Sequence, residues 1–413
     1  MRSGNEIHRI QYQTASKNMQ FLKNSNRAAV IRALALKRAS NRTELACQLN
    51  LTKMAIGNIV NELMEESYIR EVSPSYAAGD PSLSSNGRRP KLLSIADWSI
   101  NTICINIRRY SVSGMLMDIN GHTKYPFTEE IPEYADNDIL LHILVASIQE
   151  ILRQSTDLPI IGIGVSSIGP IDLYKKKLLN PPDFRSIHNL DIGDILQEHF
   201  HLPVYMDNDM NSSALAELYF GTGISHRDLV FLGFSSGVGA GIITNEKILH
   251  GFGGFAGEVG HISINPHGPL CPCGQRGCIE LYTMGQNILK NVGLNSFKEL
   301  VSILKHENPP MYITKFMEEY QNTMRTLVVC IANIYDPNII VLGDIDIPFI
   351  VRFIPDLEEY MNSHMLNKGY KHIPIVPSTL AEAAPLYGAG SIVFQRIFDG
   401  EILLPGRYSS ESA

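Results

Sequence analysis

One stretch constrains this chain more than any other. It runs Glu258-Val-Gly-His261-Ile-Ser-Ile-Asn-Pro-His267-Gly-Pro-Leu-Cys271-Pro-Cys273-Gly-Gln-Arg-Gly-Cys278-Ile-Glu280 and holds three of the six cysteines. Thiolate sulfur and imidazole nitrogen are the donors that tetrahedral zinc prefers, and His261, Cys271, Cys273 and Cys278 supply one such set within a single loop. Three thiolates and a neutral imidazole give the bound ion a net charge of about minus one and leave no open position, so the expected role is structural. Buried unpaired thiols are the plainer alternative, but a C-x-C-x4-C run among glycines fits a metal better. His267 offers a second imidazole for the fourth place. Glu258 and Glu280 bracket the cluster, so a metal clip holds two carboxylates and the free ring nitrogen of His261 around one polar ligand. A sugar suits such a site.

The same residues carry a resemblance. The stretch resembles the signature of the ROK family of sugar-responsive repressors and sugar kinases, an E-V-G-H segment followed by C-x-C-G-x-x-G-C-x-E, and every residue of that pattern is present.

At 413 residues the chain is too long for one ordinary core and points to two or three domains. No run approaches a membrane span, and the polar opening MRSGNEIHRIQYQTASKN lacks the apolar centre of a signal peptide, so a cytoplasmic protein is expected. Six cysteines with half of them clustered at metal-ligand spacing fit a reducing compartment rather than a disulfide framework. The net charge of -7 hides an asymmetry: residues 1–95 carry 14 Lys+Arg against 7 Asp+Glu, and the remainder 21 against 35. A basic front and an acidic body suggest separate partners, the front being the footprint expected for nucleic acid.

In the front segment, Ala29, Val30, Ala33, Leu34 and Leu36 predict a helix over Asn26–Lys37. Asn41-Arg-Thr-Glu44 has the capping-box arrangement and starts a second helix through Leu45 and Leu49. Thr52 caps a third, with Ala55, Ile56, Ile59, Val60 and Leu63 inward and Lys53, Gly57, Asn58 and Asn61 outward. A strand at Tyr68–Val72, a Pro-, Gly- and Ser-rich loop, Arg88-Arg89-Pro90 and a strand at Lys91–Ile95 complete a winged helix-turn-helix over 1–95, preceded by an arm. Its third helix would enter a major groove with Thr52, Lys53, Asn58 and Asn61 near bases or phosphates, and Arg88 and Arg89 would reach the backbone from the wing. A module for protein contacts is the alternative. The resemblance to ROK repressors extends here, through N-R near the start and G-R-R-P after the wing.

From Asn101 the chain alternates strands and helices: a hairpin of Thr102–Arg108 with Ser113–Gly121, a helix over Asn137–Ser155, and a strand from Pro159. The pattern recurs after Val204, which predicts an α/β body of two lobes with a cleft between them. By resemblance, residues 96–413 form the two-lobed actin-like, RNase-H-like sugar-binding body, with lobe one about 96–206 plus the C-terminal segment and lobe two about 207–385. The resemblance implies sugar contacts at Asn208, Asp209, Glu258, His261 and Glu280. It also places Asp209 where the family's kinases hold the base that deprotonates the attacking hydroxyl, a task that needs a carboxylate within hydrogen-bond reach.

The ATP side differs. Phosphoryl transfer needs glycine-rich turns and a metal-holding carboxylate. Where the kinases carry D-x-G-G-T, this chain has Asn106-Ile-Arg108-Arg109-Tyr110, which removes the acid, both glycines and the threonine. Ser235-Ser236-Gly237-Val-Gly239-Ala-Gly241 resembles the family's second phosphate loop, although glycines there also serve packing. Of the later G-G-G near the adenosine only Gly343 survives, before Asp344-Ile345. The expectation is therefore a regulator and not an enzyme: a homo-oligomeric repressor of the xylose or N-acetylglucosamine type that binds operator DNA, a small sugar and structural zinc. A sugar kinase with an appended DNA-binding module is the alternative.

Overall fold

The computed structural model describes residues 19–36, 41–72, 91–234, 237–343 and 346–404. The contacts divide the chain into two units, one of residues 1–95 with 396–413, the other of 96–395. The expected division placed the whole C-terminal segment with the body, whereas its described end packs with the front unit.

In the front unit, α1 (Met19–Ala35), α2 (Arg42–Gln48) and α3 (Lys53–Glu65) are followed by the antiparallel pair β1 (Ile69–Val72) and β2 (Leu92–Ile95). Helix α1 begins at Met19 rather than Asn26. The apolar period that predicted it covers only the later turns; Lys23 and Arg27 hold the early ones to Glu62 on α3 at 3.0 and 3.2 Å. Ala29 is half-buried, and Ala28 and Ile31 complete the packed face instead. Asn41 caps α2, its Oδ1 accepting from the backbone of Thr43 and Glu44 at 3.0 Å, and Thr52 Oγ1 accepts from Ala55 N at 3.1 Å. Ile56, Ile59, Val60 and Leu63 are buried, as the period required, while Ala55 is half-buried. The tip of the wing, with Arg88 and Arg89, lies outside the described residues, as do residues 1–18 of the arm.

The body holds two five-stranded sheets among the described residues. The first is built from β3 (Asn101–Ile107), β4 (Ser111–Asp118), β5 (Thr123–Glu130), β6 (Ile160–Ser167) and β9 (Val204–Asn208), in the order β5-β4-β3-β6-β9. Between β6 and β9 lie the short hairpin β7 (Ile171–Asp172) with β8 (Lys177–Leu178) and helix α5 (Ile192–Phe200). Helix α4 (Asn137–Gln154) covers this sheet. Asp136 caps it, and Leu140, Leu144, Ile148 and Ile151 form its buried stripe. At about 1.5–3 kcal/mol for each buried side chain, the stripe outweighs a cap of about 1 kcal/mol in fixing the helix. Strand β5 escapes a sequence reading because Thr123-Lys-Tyr-Pro-Phe-Thr-Glu-Glu130 shows no clean alternation. It is the edge strand, where Pro126 costs no ladder bond.

The second sheet uses β10 (Leu229–Gly233), β11 (Gly239–Thr244), β12 (Lys247–Ile248), β13 (Ile339–Gly343) and β14 (Ile375–Pro377), in the order β12-β11-β10-β13-β14. Helix α6 (Asp209–Phe220) follows β9 and packs on β10 and β11. After the cysteine loop come α7 (Glu280–Thr283), α8 (Gly285–Val292), α9 (Phe297–Ile303) and the long α10 (Met311–Tyr335); α11 (Ile347–Ile350) and α12 (Ile354–His364) lie between β13 and β14. The last helix, α13 (Ala384–Phe398), passes so close to the first sheet that a Cβ at Gly164 would sit 1.8 Å from the Ala389 carbonyl oxygen.

Both sheets share one plan: an antiparallel meander whose first strand is central, followed by two parallel strands on its other side. This repetition is the RNase-H-like, actin-like architecture expected from the sequence, with an N-terminal winged helix-turn-helix. The last strand of the first sheet ends at Asn208. No helix among the described residues is long and apolar enough to cross a membrane.

Candidate functional site

The loop after β12 is built on glycines. Gly257 has φ +97°, and a Cβ on it would lie 2.0 Å from the Ala240 carbonyl oxygen, while Ala240 N donates back to Gly257 O at 2.8 Å. That contact seats Glu258 and the following turn, Val259–His261, against the start of β11. The chain then doubles back: Ile264 N donates to Gly277 O at 2.9 Å, Cys271 N to Gln275 O at 2.8 Å and Ile279 N to Ile262 O at 3.0 Å. A Cβ at Gly277 would meet the Asn265 carbonyl oxygen at 1.9 Å, so glycine is required for the strands of this loop to approach.

The doubling brings four ligand atoms together. One nitrogen of His261 and the sulfurs of Cys271, Cys273 and Cys278 all lie within 4.8 Å of one another. Cys271 Sγ is 3.7 Å from His261 Nδ1, and Cys273 Sγ is 3.6 Å from Cys278 Sγ. A tetrahedron with Zn–S bonds of about 2.3 Å has sulfur–sulfur edges of about 3.8 Å, so the donor set fits a zinc ion in both type and spacing. Burial pushes the Cys271 thiol up to about 12 and raises Cys278 as well, whereas the Gln275 backbone is the main cause that lowers exposed Cys273. Metal binding would expel those protons. His267 is exposed and outside this group. The described residues hold one other grouping of this kind, Asp97, Asp118 and His122. There the Asp118 carboxylate accepts from the backbone of Trp98, Asn120 and His122, which explains it as a turn cap.

Glu258, His261 and Glu280 come together at this loop. His261 Nδ1 is 3.5 Å from Glu280 Oε1, which also faces Cys271 Sγ at 3.4 Å. Burial is the main cause that raises the Glu258 carboxyl above its usual range; the Glu280 charge adds to it and His261 opposes it. Asn208 and Asp209 belong to a different element. Asn208 Oδ1 caps α6 by accepting from Asn211 N at 2.7 Å, and Asp209 Oδ1 accepts from Met210 N at 3.0 Å. They are tied to the loop through β11: Met210 packs against Gly239 and Gly241 at its start, and Gly257 and Gly260 pack against Ala240 and Val238.

A further residue joins the two groups. His250 Nε2 lies 2.7 Å from Asp207 Oδ2, and the other oxygen of Asp207 accepts from Asn208 N at 2.8 Å and Asn211 Nδ2 at 2.9 Å. Sequence reasoning missed this pair because a lone histidine 43 positions away carries no local signal.

The structure explains Gly241 and Gly343 of the ATP side without phosphate. A Cβ at Gly241 would lie 2.1 Å from the Met210 carbonyl oxygen, and one at Gly343 would lie 2.5 Å from the ring of Phe231. In the turn between β3 and β4, Arg108 Nη2 donates to the Glu382 carbonyl at 2.9 Å and Arg109 donates to that of Pro182. Ser235, Ser236, Asp344 and Ile345 lie outside the described residues.

On α3, Lys53, Asn58 and Asn61 are exposed together, and the exposed Thr52 serves as the cap. Asn61 is already engaged: Arg42 Nη1 donates to its Oδ1 at 2.9 Å.

Residues 102–396 match the model of the ROK family. The chain belongs to the ROK family. Two curated relatives span nearly its full length: the xylose repressor of Bacillus subtilis (strain 168) is 26% identical, with 92% of this chain and 97% of that protein covered, and the DNA-binding transcriptional dual regulator NagC of Escherichia coli (strain K12) is 27% identical, with 94% and 96% covered. Among solved structures, a ROK family transcriptional regulator described as a homolog of the E. coli MLC protein superposes with a TM-score of 0.73 at 22% identity, covering 92% of this chain and 97% of its own. The ROK hexokinase from Thermus thermophilus reaches a TM-score of 0.63 at 21% identity and covers 72% of this ROK chain and 99% of its own. The kinase fold accounts for the body alone; the regulator fold accounts for the winged helix as well.

Proposed function

We propose that this ROK protein is a cytoplasmic, sugar-responsive transcriptional repressor. The observation that carries the reading is coverage: a relative named as a xylose repressor and one named as a DNA-binding transcriptional dual regulator align over more than nine-tenths of the chain, front unit included. The front unit binds operator DNA through α3, with Lys53, Asn58 and Asn61 toward the groove, Thr52 at the helix start and Arg88 and Arg89 at the wing. The body binds a small sugar through Asn208, Asp209, Glu258, His261 and Glu280. A structural zinc ion on His261, Cys271, Cys273 and Cys278 holds the loop that carries three of those contacts. The sugar shifts the angle between the lobes and, through a homodimer, the spacing of two winged helices; paired recognition helices match half-sites about one DNA turn apart.

The protein is not an efficient kinase, in this reading, because the β3–β4 turn holds two arginines in place of a phosphate-binding loop. The test is binding of the purified protein to DNA from upstream of its own gene, titrated with hexoses, pentoses and N-acetyl sugars. Specific binding altered by one sugar supports the repressor. ATP consumption with one of those sugars at ordinary enzyme rates, about 1–100 per second, would instead establish the kinase.

A further inference from the structure

The exposed face of α3 has a gap in its middle. A Cβ built on Gly57 meets nothing within 4 Å. Arg42, the first residue of α2, lies alongside it: its Nη1 donates to Asn61 Oδ1 at 2.9 Å and to the Gly57 carbonyl at 3.4 Å. Its Nη2 lies 3.6 Å from the Met64 sulfur and 3.8 Å from the Glu71 carboxylate, which Lys91 also holds. The side chain is 37% exposed, so the guanidinium is laid along the recognition face and still open to a partner.

We propose that Arg42 and Asn61 form one recognition unit that reads a guanine edge in the major groove. The proposal rests on the front unit being the DNA-binding module. A guanidinium has only donors, so the Asn61 amide must turn its oxygen toward Arg42 and its Nδ2 away. The usual match of asparagine to adenine needs one acceptor and one donor at the base edge. Here the acceptor is committed beside a positive charge, and what the pair presents outward is N–H groups alone. Guanine answers with two acceptors, O6 and N7, whereas adenine places an amino donor where O6 would be. Gly57 leaves the helix surface beside its carbonyl open, since a Cβ there meets nothing within 4 Å. Glu71 and Met64 hold the guanidinium in place before DNA arrives, which lowers the cost of ordering a long side chain on binding. A phosphate oxygen is also an acceptor, and the experiment separates the two.

Binding sites are selected from a randomised duplex library with the full-length wild type, Arg42→Gln and Arg42→Lys, and affinities are then measured across salt on the selected site and on its guanine-to-adenine variants. The proposal expects Arg42→Gln to lose about tenfold or more on the guanine site, to bind the corresponding adenine variant as the wild type does, and to show no preference at that position in selection. Arg42→Lys keeps the charge but not the planar fork. It should hold the salt slope and still lose most of the guanine preference, which separates recognition from a folding defect in the glutamine variant. Uniform weakening of Arg42→Gln on every sequence, with the salt slope reduced by about one, would make Arg42 a phosphate contact and overturn the guanine reading. Unchanged affinity of both variants would remove Arg42 from the interface. If the wild type itself selects no sequence, the DNA-binding reading fails and this one with it.

Discussion

At the scale of single residues, the glycines and cysteines carry separable roles. Gly57 is helical, and its added Cβ meets nothing within 4 Å, so Gly57→Ala removes only backbone freedom from the unfolded chain. The variant should be more stable by about 0.5–1 kcal/mol, read as a higher urea midpoint of the front unit; destabilisation would show that the helix needs glycine there. Cys273 is the exposed member of the candidate ligand set, so Cys273→Ser would disturb the proposed metal site without opening a core. Zinc measured on the purified variant should fall well below the roughly one ion per chain that a four-ligand site holds, and a full complement would remove Cys273 from the site. The cysteine spacing was legible in the sequence because ligands in one loop need only a turn to meet. Which histidine completes the set was not legible, since His261 and His267 flank the same turn and only the pairing of Ile264 with Gly277 and of Ile279 with Ile262 decides it.

At the scale of elements, periodic segments were legible and aperiodic ones were not. Helices α3 and α4 could be read from their apolar stripes, whereas β5 is a polar edge strand and α1 begins in a stretch held by ion pairs. The segment from His250 to Ala256 shows the same limit. It closes on itself where Ala256 N donates to His250 O at 3.1 Å, and it rests on the first lobe through Asp207 and through Leu173, 2.9 Å from where a Gly254 Cβ would lie. Its two ends belong to the second lobe, at β12 and at Gly257 on Ala240. His250→Leu should cost about 1–3 kcal/mol in chemical unfolding, because it leaves a buried Asp207 oxygen without its donor; an unchanged midpoint would mean that this strap does not tie the lobes. Between α10 and α12, Arg325 Nε donates to Asp356 Oδ2 at 2.8 Å, and this hydrogen bond is the main cause that holds the Asp356 carboxyl below its usual range. A depressed folded-state value gives stability that is present above the unfolded pKa of about 3.9 and lost as the pH falls through the folded value. The advantage of the wild type over Arg325→Met should thus be constant above about pH 5 and vanish below it as Asp356 protonates. Both side chains are about one-third exposed or less, so its size stays within about 1 kcal/mol. An advantage that persists at low pH would assign it to packing of the arginine stem.

At the scale of the whole molecule, the body holds two sheets of one plan, and the winged helix-turn-helix leaves Lys53, Asn58 and Asn61 of α3 exposed. The plan of the body was legible because strands alternate with helices twice. The placing of residues 396–404 with the front unit was not, because contacts that far apart in sequence leave no local pattern. The account joins the units by function: a sugar in the body changes what the winged helix does. The most direct measurement is therefore operator affinity of the full chain with and without its sugar, in the wild type and in Asp209→Ala. The account predicts that one sugar alters wild-type affinity about tenfold or more, a coupling of about 1.4 kcal/mol, and that Asp209→Ala binds the same operator equally well with no response to that sugar. An undiminished response in Asp209→Ala, or specific operator binding that no sugar alters, would contradict it.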